Sequence, residues 1–316
     1  MRRTAADQDT DAPIELPAVP SLGRLYARSL RALVPPPLPG RPSDVLPGRS
    51  VEVGDVEVGP DEVAAYARVC GFGLADEVPL TYPHVLAFPL AIHLMVADDF
   101  PFALPGLVHV AQRIQQTSAV RVGDHLDVQV RATALRPHRR GRQFDVVAEF
   151  ARDGRAVWTG TSTYLRRGGN GAPSDALPPD GAPTADAGEG GADRAAATNG
   201  PATATWRLPG DLGRRYGAVS GDRNPIHLWP VTARLGGFSR PIAHGMWTAA
   251  RSVAAVADRI AGPADLQVAF KQPLPLPSTV ALRVERDGTA ARFRLHDRSG
   301  RCLFLTGTLD APEDLR

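Results

Sequence analysis

A stretch of small and polar residues at 167–204 divides the sequence into two parts. It consists mostly of Gly, Ala, Pro, Asp and Thr, and Leu177 is its one large apolar residue. Such a segment cannot bury enough apolar surface to offset the entropy lost on ordering, so we expect a disordered linker. The Pro-rich leader at 1–48 is expected to be largely irregular, apart from a short amphipathic helix at 22–34. The sequence therefore predicts two folded parts, at 49–166 and 205–316.

The two parts share one order of elements. In the first, alternating valines at 51–58 precede a helical pattern at 61–70, an apolar segment at 84–96, and strand patterns at 107–117, 125–135, 143–151 and 155–165. In the second, a brief extended segment at 206–208 and a helical one at 211–219 precede an apolar stretch at 244–261, with strand patterns at 265–271, 279–286, 290–297 and 301–309. Asp153-Gly154 and Ser299-Gly300 mark hairpins at equivalent places. We predict an α+β fold of two related units, each a long central helix wrapped by a curved antiparallel sheet.

Composition excludes several classes of protein. The 316 residues are 43% hydrophobic and 22% charged, which is ordinary for a globular chain with a buried core. No apolar run reaches the ~20 residues of a membrane span, and the N-terminal residues contain no apolar h-region, so we expect no secretory signal. Cys70 and Cys302 are too few for a disulfide scaffold, so we expect a cytoplasmic protein. A formal net charge of +2 does not favour nucleic acid as a partner.

The segment 216–247 carries the densest group of chemically active residues. Its SGDRNP run is rich in turn-forming residues and presents Asp222 and His227 from one short, stiff loop. A carboxylate and an imidazole five residues apart across a turn can converge on one small molecule, such as water. This is a competent acid/base pair near neutral pH.

A glycine follows at the start of the long apolar stretch. Gly245 is expected in the first turn of a helix, where backbone N–H groups lack helical partners and the helix dipole adds positive charge. A carbonyl oxygen can approach the main chain closely at glycine. The position therefore suits an oxyanion hole for a thioester or ester.

Each of these elements also has a purely structural interpretation. The SGDRNP run could be only a tight turn, His227 a buried core histidine, and His244-Gly245 only a helix start. Their occurrence together within about 30 residues favours a functional site. Asp222, His227 and His244 also resemble a two-histidine, one-carboxylate metal triad, but their spacing is not diagnostic and we expect no metal.

The runs YGAVSGDRNPIHLWPVTA and GFSRPIAHGMW resemble the signature of the hydratase 2 branch of the MaoC-like family. The resemblance implies a double hotdog fold. It also implies that Asp222 and His227 hold and activate water, that Asn224 fixes the loop and the water, and that the Gly245 N–H binds the thioester oxygen. No cofactor is implied.

The first part resembles the non-catalytic half of double-hotdog dehydratases of actinobacteria, among which the mycobacterial-type 3-hydroxyacyl-thioester dehydratases are most similar. The resemblance rests on PLTYPHVLAFPLAIHLM, FPFALPGLVHV and RRGRQFDVV. This part has no SGDxNPxH, and Asp76 and Glu77 in the corresponding region are not followed by a histidine five residues on. The remaining histidines His84, His93 and His109 lie in apolar strings and are expected to be core residues. Small residues around Pro89 would leave room for an acyl chain.

The implied reaction is reversible syn hydration of a trans-2-enoyl thioester to the (3R)-hydroxyacyl thioester, in fatty-acid metabolism. The partners would be an acyl-coenzyme A or an acyl carrier protein. Arg139, Arg140 and Arg142 are candidates for contacts with carrier phosphates, although a solvated turn explains them as well. A hotdog thioesterase and a non-catalytic acyl-binding module are the alternatives. The chain would act as a monomeric double hotdog or as a homodimer.

Overall fold

A computed structural model describes residues 12–31, 45–168, 201–257 and 260–311. Its described residues group into two compact units. One contains residues from 1–63 and 76–172, and the other contains residues from 64–75 and 173–316. The predicted linker at 167–204 lies almost wholly outside the described residues, so its disorder stays a prediction.

The first unit is built on a six-stranded sheet with the order β1-β2-β4-β5-β6-β3. All neighbours in it are antiparallel except β1 and β2. The strands are β1 (Ile14–Glu15), β2 (Ser50–Glu57), β3 (Leu107–Gln116), β4 (His125–His138), β5 (Gly141–Arg152) and β6 (Arg155–Arg167). The helices are α1 (Leu22–Arg31), α2 (Pro60–Cys70) and α3 (Pro83–Met95). Residues of α2 after Val63 are assigned to the other unit.

Helix α3 is the core helix of this unit. It packs against β2, β4 and β5 and buries eight of its residues, including Pro89 and Leu90. An apolar sequence on nearly all sides of a helix requires such enclosure. The indole N–H of Trp158 on β6 donates to the Leu80 carbonyl, 2.9 Å away, and so ties the sheet to the segment before α3.

The second unit has a five-stranded antiparallel sheet with the order β8-β11-β10-β9-β7. Its strands are β7 (Ala204–Leu208), β8 (Ala264–Phe270), β9 (Ser278–Asp287), β10 (Ala290–Asp297) and β11 (Leu303–Asp310), and its helices are α4 (Leu212–Ser220), α5 (Pro230–Leu235) and α6 (Gly245–Val256). Helix α6 packs on β10 and β11, and small residues such as Ala249 and Ala250, both fully buried, permit the close approach.

The predicted elements match these closely. The hairpin between β5 and β6 turns at Asp153 and Gly154, both with positive φ, as the Asp-Gly signal predicts. Two differences have physical reasons. The leader adds β1, which at two residues is too short to show a periodic pattern. Helix α6 ends at Val256 and not near residue 261, because the Arg286 guanidinium donates to the Val256 carbonyl and Ala257 turns to an extended conformation.

Candidate active site

The Asp222 loop is held by the end of helix α4. Gly221 follows the helix in a left-handed conformation, with φ of 72°, which glycine adopts without strain. The Ser220 hydroxyl donates to the Tyr216 carbonyl at 2.8 Å and accepts from the Asp222 amide at 3.2 Å. The chain leaving the helix is therefore fixed just where the carboxylate emerges.

Asn224 organises the rest of the loop. Its backbone N–H donates to Oδ1 of Asp222 at 3.1 Å, while its side-chain oxygen accepts from the backbone N–H of Ile226 at 3.4 Å. Its carbonyl accepts from the His227 amide at 3.1 Å, which starts the short 3-10 turn Pro225–His227. The structure thus places Asn224 between the two predicted catalytic residues, bonded to both sides of the loop.

Two glycines let this loop lie directly on helix α4. A Cβ at Gly213 would come within 1.9 Å of the His227 carbonyl oxygen, and one at Gly217 would come within 2.8 Å of the Asp222 carbonyl oxygen. The helix and the loop could not approach so closely with any side chain at these positions. The two glycines are four residues apart and so lie on one face of the helix.

His227 is buried and its tautomer is set by one contact. His227 is only 9% exposed, and its Nδ1 lies 2.8 Å from the Ile242 carbonyl oxygen. Because a carbonyl can only accept, we assign the hydrogen to Nδ1, which leaves the lone pair on Nε2. Burial lowers the pKa of His227 below its usual value, against the opposing effects of Asp222 and the Ile242 carbonyl. The imidazole is therefore kept neutral and ready to accept a proton.

The structure brings Asp222 and His227 together. A carboxylate oxygen of Asp222 and ring nitrogens of His227 and His244 all lie within 4.8 Å of one another. Two atoms that are both hydrogen-bonded to one water molecule, each at about 2.8 Å and with a near-tetrahedral angle between the bonds, lie about 4.6 Å apart. One water molecule can therefore bridge groups at this separation. The Asp222 side chain is 27% exposed, so a reactant can reach it.

His244 is the third member of this group. From the sequence, His244 was considered only as a candidate metal ligand. It is 2% exposed, and its Nε2 lies 3.0 Å from the Asp222 carbonyl oxygen, to which it donates. Its ring stacks on that of His227 with centroids 3.8 Å apart and lies 4.9 Å from the Tyr216 ring. Burial, with the nearby His227, lowers the pKa of His244 to about 3, so the ring stays neutral.

The three residues fit a hydrogen-bonded group better than a metal site. The two imidazole rings are stacked 3.8 Å apart with their planes inclined by only 29°, so in-plane lone pairs lie in two nearly parallel, offset planes and are poorly placed to meet at one ion. Nε2 of His244 is already bonded to a backbone carbonyl. The expectation that this chain uses no metal stays a prediction.

Gly245 is the first residue of helix α6, as predicted, and His244 is its N-cap. The free amides of this first turn carry the positive end of the helix dipole. A Cβ at Gly245 would come within 3.1–3.3 Å of three ring carbons of Phe270. A side chain at this position would therefore require the Phe270 ring or the helix start to move by a few tenths of an ångström.

The predicted arginine cluster lies on the β4–β5 hairpin of the first unit. Arg139 and Arg140 are exposed at the turn, and the Arg142 guanidinium lies 5.4 Å from the centre of the Phe102 ring. Arg142 also lines a groove of about 420 Å³ together with residues 45–48 and 132–135. Arg136 of the same hairpin is ion-paired with Asp145 at 2.9 Å.

The acidic and histidine candidates of the first unit make structural contacts. Glu77 forms an ion pair with Arg121 at 3.3 Å. The His84 and His109 rings stack 6.0 Å apart, and His109 stacks in turn on Tyr164 at 4.9 Å. His84, His93 and His109 are all half-buried, so the prediction that they are core residues is wrong, although the rings of His84 and His109 do pack against neighbouring rings.

Sequence reasoning did not predict how His244, Tyr216 and the two α4 glycines hold the Asp222 loop in place. The glycines did carry a signal, since a four-residue spacing just before SGDRNP indicates a helix face that a backbone must approach. The sequence contains no signal for the hydrogen bond between His227 and the Ile242 carbonyl, because this bond joins residues 15 apart through the tertiary fold.

Comparison with known proteins identifies the class to which this fold belongs, the hotdog-fold hydro-lyases. The family model described as "MaoC like domain" matches residues 196–302. The chain is 38% identical over 247 residues to 3-hydroxyacyl-thioester dehydratase X of Mycobacterium tuberculosis, which covers 78% of this chain and 84% of that one. The chain therefore belongs to the MaoC-like dehydratase family.

Solved structures show the same fold. The crystal structure of HtdX of M. tuberculosis superposes with a TM-score of 0.69 at 34% identity, covering 83% of this chain and 99% of that one. A conserved hypothetical protein of M. tuberculosis, described as having a double hotdog fold, matches with a TM-score of 0.50 at 13% identity, covering 81% of this chain and 92% of that one. The predicted double hotdog fold is confirmed. In the described part of the chain, no helix has the length and apolar character needed to cross a membrane.

Proposed function

We propose that this chain is a (3R)-hydroxyacyl-thioester dehydratase, or equivalently an (R)-specific trans-2-enoyl-thioester hydratase. The observation that carries the proposal is that a carboxylate oxygen of Asp222 and a ring nitrogen of a neutral His227 lie within 4.8 Å of each other, a distance that one water molecule can bridge. The name of the M. tuberculosis relative supports the same reaction type.

In the hydration direction, one water molecule lies between Asp222 and His227. Nε2 of His227 carries the lone pair, so it accepts a proton from this water while the water oxygen forms a bond to C3 of the enoyl thioester. The proton is returned through the Asp222/His227 pair to C2 on the same face, which makes the addition syn. In dehydration, the same pair removes the C2 proton and protonates the leaving hydroxyl. Asn224 holds the loop, so both groups keep their positions throughout.

Negative charge develops on the thioester oxygen as C3 is attacked. The Gly245 N–H, at the positive end of α6, would donate to this oxygen and stabilise the enolate-like state. Removing one such donor typically lowers kcat by about 10²–10³.

The substrate carrier is coenzyme A or an acyl carrier protein, and Arg139, Arg140 and Arg142 would contact its phosphates. The cationic surroundings are evident at His138, whose pKa is lowered by burial first and then by Arg139 and Arg140. Replacing Arg139 and Arg140 by Ala should raise KM and weaken its dependence on salt. A KM unchanged at every salt concentration would contradict this contact.

The first unit would bind the acyl chain and lack a site of its own, a division of labour that rests on the absent SGDxNPxH motif. Rates measured from four-carbon to sixteen-carbon enoyl thioesters test this. Activity confined to four carbons would count against it.

The cytoplasm is the proposed compartment, and both cysteines are free, as a reducing environment requires. Light scattering would decide between the monomeric and homodimeric forms.

Hydration of a crotonyl thioester, followed by loss of enone absorbance, is the direct test. Asp222→Asn and His227→Gln should each lower kcat by at least about 10³ while the circular dichroism spectrum stays unchanged, because each removes one half of the acid/base pair. Asp55 and His125, an exposed pair 2.7 Å apart in the first unit, provide the matched controls Asp55→Asn and His125→Gln. Near-normal rates in the Asp222 or His227 variants would overturn the assignment.

The two alternatives give different signals in the same assay. Release of free thiol would identify a thioesterase, and binding of the thioester without turnover would identify an acyl-binding module.

A further inference from the structure

An exposed apolar patch immediately follows the catalytic loop. Trp229, Val231 and Leu235 are 53%, 66% and 85% exposed, and all three lie within seven residues on or next to helix α5. We define this helix and its exposed neighbours, residues 229–240, as the α5 surface. Exposed apolar groups concentrated in this way, with a polar rim, typically mark a binding surface.

The α5 surface is joined by direct contacts to the turn that carries His227. Its one buried helical residue, Ala233, anchors the helix, and the Thr232 hydroxyl donates to the Pro225 carbonyl at 2.6 Å, within the turn that carries His227. On the outer side, the Arg214 guanidinium lies 4.4 Å over the Trp229 ring and donates to the Leu228 carbonyl at 3.0 Å. A pre-ordered Trp and Arg are typical of the residues that dominate binding energy at interfaces.

The charge on this surface has one sign. Arg223, Arg234 and Arg240 are exposed, and residues 223–240 contain no Asp or Glu. A two-fold contact between copies of this chain through this surface would place these arginines against the same arginines of the partner. An acidic protein would instead meet them with complementary charge.

We propose that the α5 surface docks an acidic acyl carrier protein that delivers the thioester on its flexible phosphopantetheine arm. This inference rests on the proposed function, since it names the form in which the substrate arrives. Apolar contacts with Trp229 and Leu235 would supply affinity, and the arginines would steer the carrier so that its arm enters beside His227. Arg139, Arg140 and Arg142 on the β4–β5 hairpin would then bind the phosphates of the carrier and would not contact its protein surface.

The test compares two forms of one substrate, crotonyl-coenzyme A and crotonyl attached to a purified bacterial acyl carrier protein. The double variant Arg234→Glu/Arg240→Glu and the variant Leu235→Asp should each lower kcat/KM for the carrier-protein thioester by at least about tenfold. The value for crotonyl-coenzyme A should stay within about twofold. Arg298→Glu, at an exposed arginine of the last hairpin, is the charge control, and Arg234→Glu alone, which changes the net charge by the same amount, is compared with it directly.

Binding of a fluorescent holo-acyl carrier protein, measured by anisotropy, separates this inference from the proposed reaction. Binding that is lost in the α5 variants but kept in Arg298→Glu supports the docking surface even if no turnover occurs. Equal losses with both thioesters, or unchanged binding, would overturn it. A change from dimer to monomer in the α5 variants, seen by light scattering, would assign the surface to self-association and overturn it as well.

Discussion

At the scale of single residues, the site depends on which nitrogen of each imidazole bears the hydrogen. The Ile242 carbonyl directs the lone pair of His227 to Nε2, and the Asp222 carbonyl fixes the hydrogen of His244 on Nε2. The two stacked rings are therefore chemically different: His227 carries its lone pair on Nε2, while Nε2 of His244 donates to the loop that carries Asp222. Burial lowers the pKa of both residues, which keeps positive charge out of the group near neutral pH.

His244 is accordingly expected to act as a positioning residue. His244→Phe keeps a ring against His227 but removes the donor to the Asp222 carbonyl, so kcat should fall about tenfold, as for the loss of one buried hydrogen bond, with little change in KM. His244→Gln offers an amide N–H at a similar reach and should recover part of kcat. Steady-state kinetics of both variants check this. Equal losses in the two, or a loss in KM alone, would show that His244 only fills space.

At the scale of elements, the sequence predicted strands and turns better than helix ends. Period-two patterns located β4, β5, β6 and β10 within a few residues, because alternation follows from one buried face. The end of α6 was missed because a side chain from β9, Arg286, satisfies its last carbonyl, and local sequence does not contain that contact. The turn at 221–227 was predicted correctly, since its turn-forming residues act locally. The contacts of His244 could not be predicted from the sequence, because they depend on tertiary packing.

The start of helix α6 gives a prediction about the proposed oxyanion hole. Gly245→Ala improves helix propensity but places a Cβ against the Phe270 ring, so the ring or the helix start must shift by a few tenths of an ångström. We expect kcat to fall between about tenfold and 100-fold with a small change in melting temperature. Phe270→Leu in the Gly245→Ala background relieves the contact and should restore part of kcat. Full activity in Gly245→Ala would show that the amide position tolerates a side chain and would weaken the assignment.

At the scale of the whole molecule, two units of one architecture carry different side-chain chemistry. The first buries a cluster of aromatic rings, in which the Phe144 ring centroid lies 5.3–5.7 Å from those of Phe100, Phe102 and Tyr164. The second buries polar imidazoles beside its core helix and sheet. The sequence indicated this contrast through the unequal motifs of the two parts. It could not indicate how many imidazoles would be buried, because burial depends on the packing of distant segments.

The buried imidazoles predict that acid weakens the second unit. His227, His244 and His296 are 9%, 2% and 1% exposed, and burial lowers the pKa of each in the folded chain. In the unfolded chain these groups titrate near the ordinary pKa of about 6.5, so below that pH the unfolded state binds more protons and the free energy of unfolding falls. Each imidazole contributes a slope of about 1.4 kcal/mol per pH unit between its two pKa values, and none above about pH 7.5.

His296 isolates one of these contributions, because it lies on β10, outside the site, and neither ring nitrogen has a hydrogen-bond partner among the described residues. His296→Leu removes one titrating group from a buried position, so the loss of stability between pH 6.5 and 5 should be shallower by up to about 1.4 kcal/mol per pH unit. Urea unfolding followed by tryptophan fluorescence at pH 8.0, 6.5, 5.8 and 5.0 measures the slope. The comparison at pH 8.0, where the imidazoles are neutral in both states, reports packing alone. Parallel curves for the variant and the parent chain would mean that His296 is protonated in the fold as readily as in the unfolded chain.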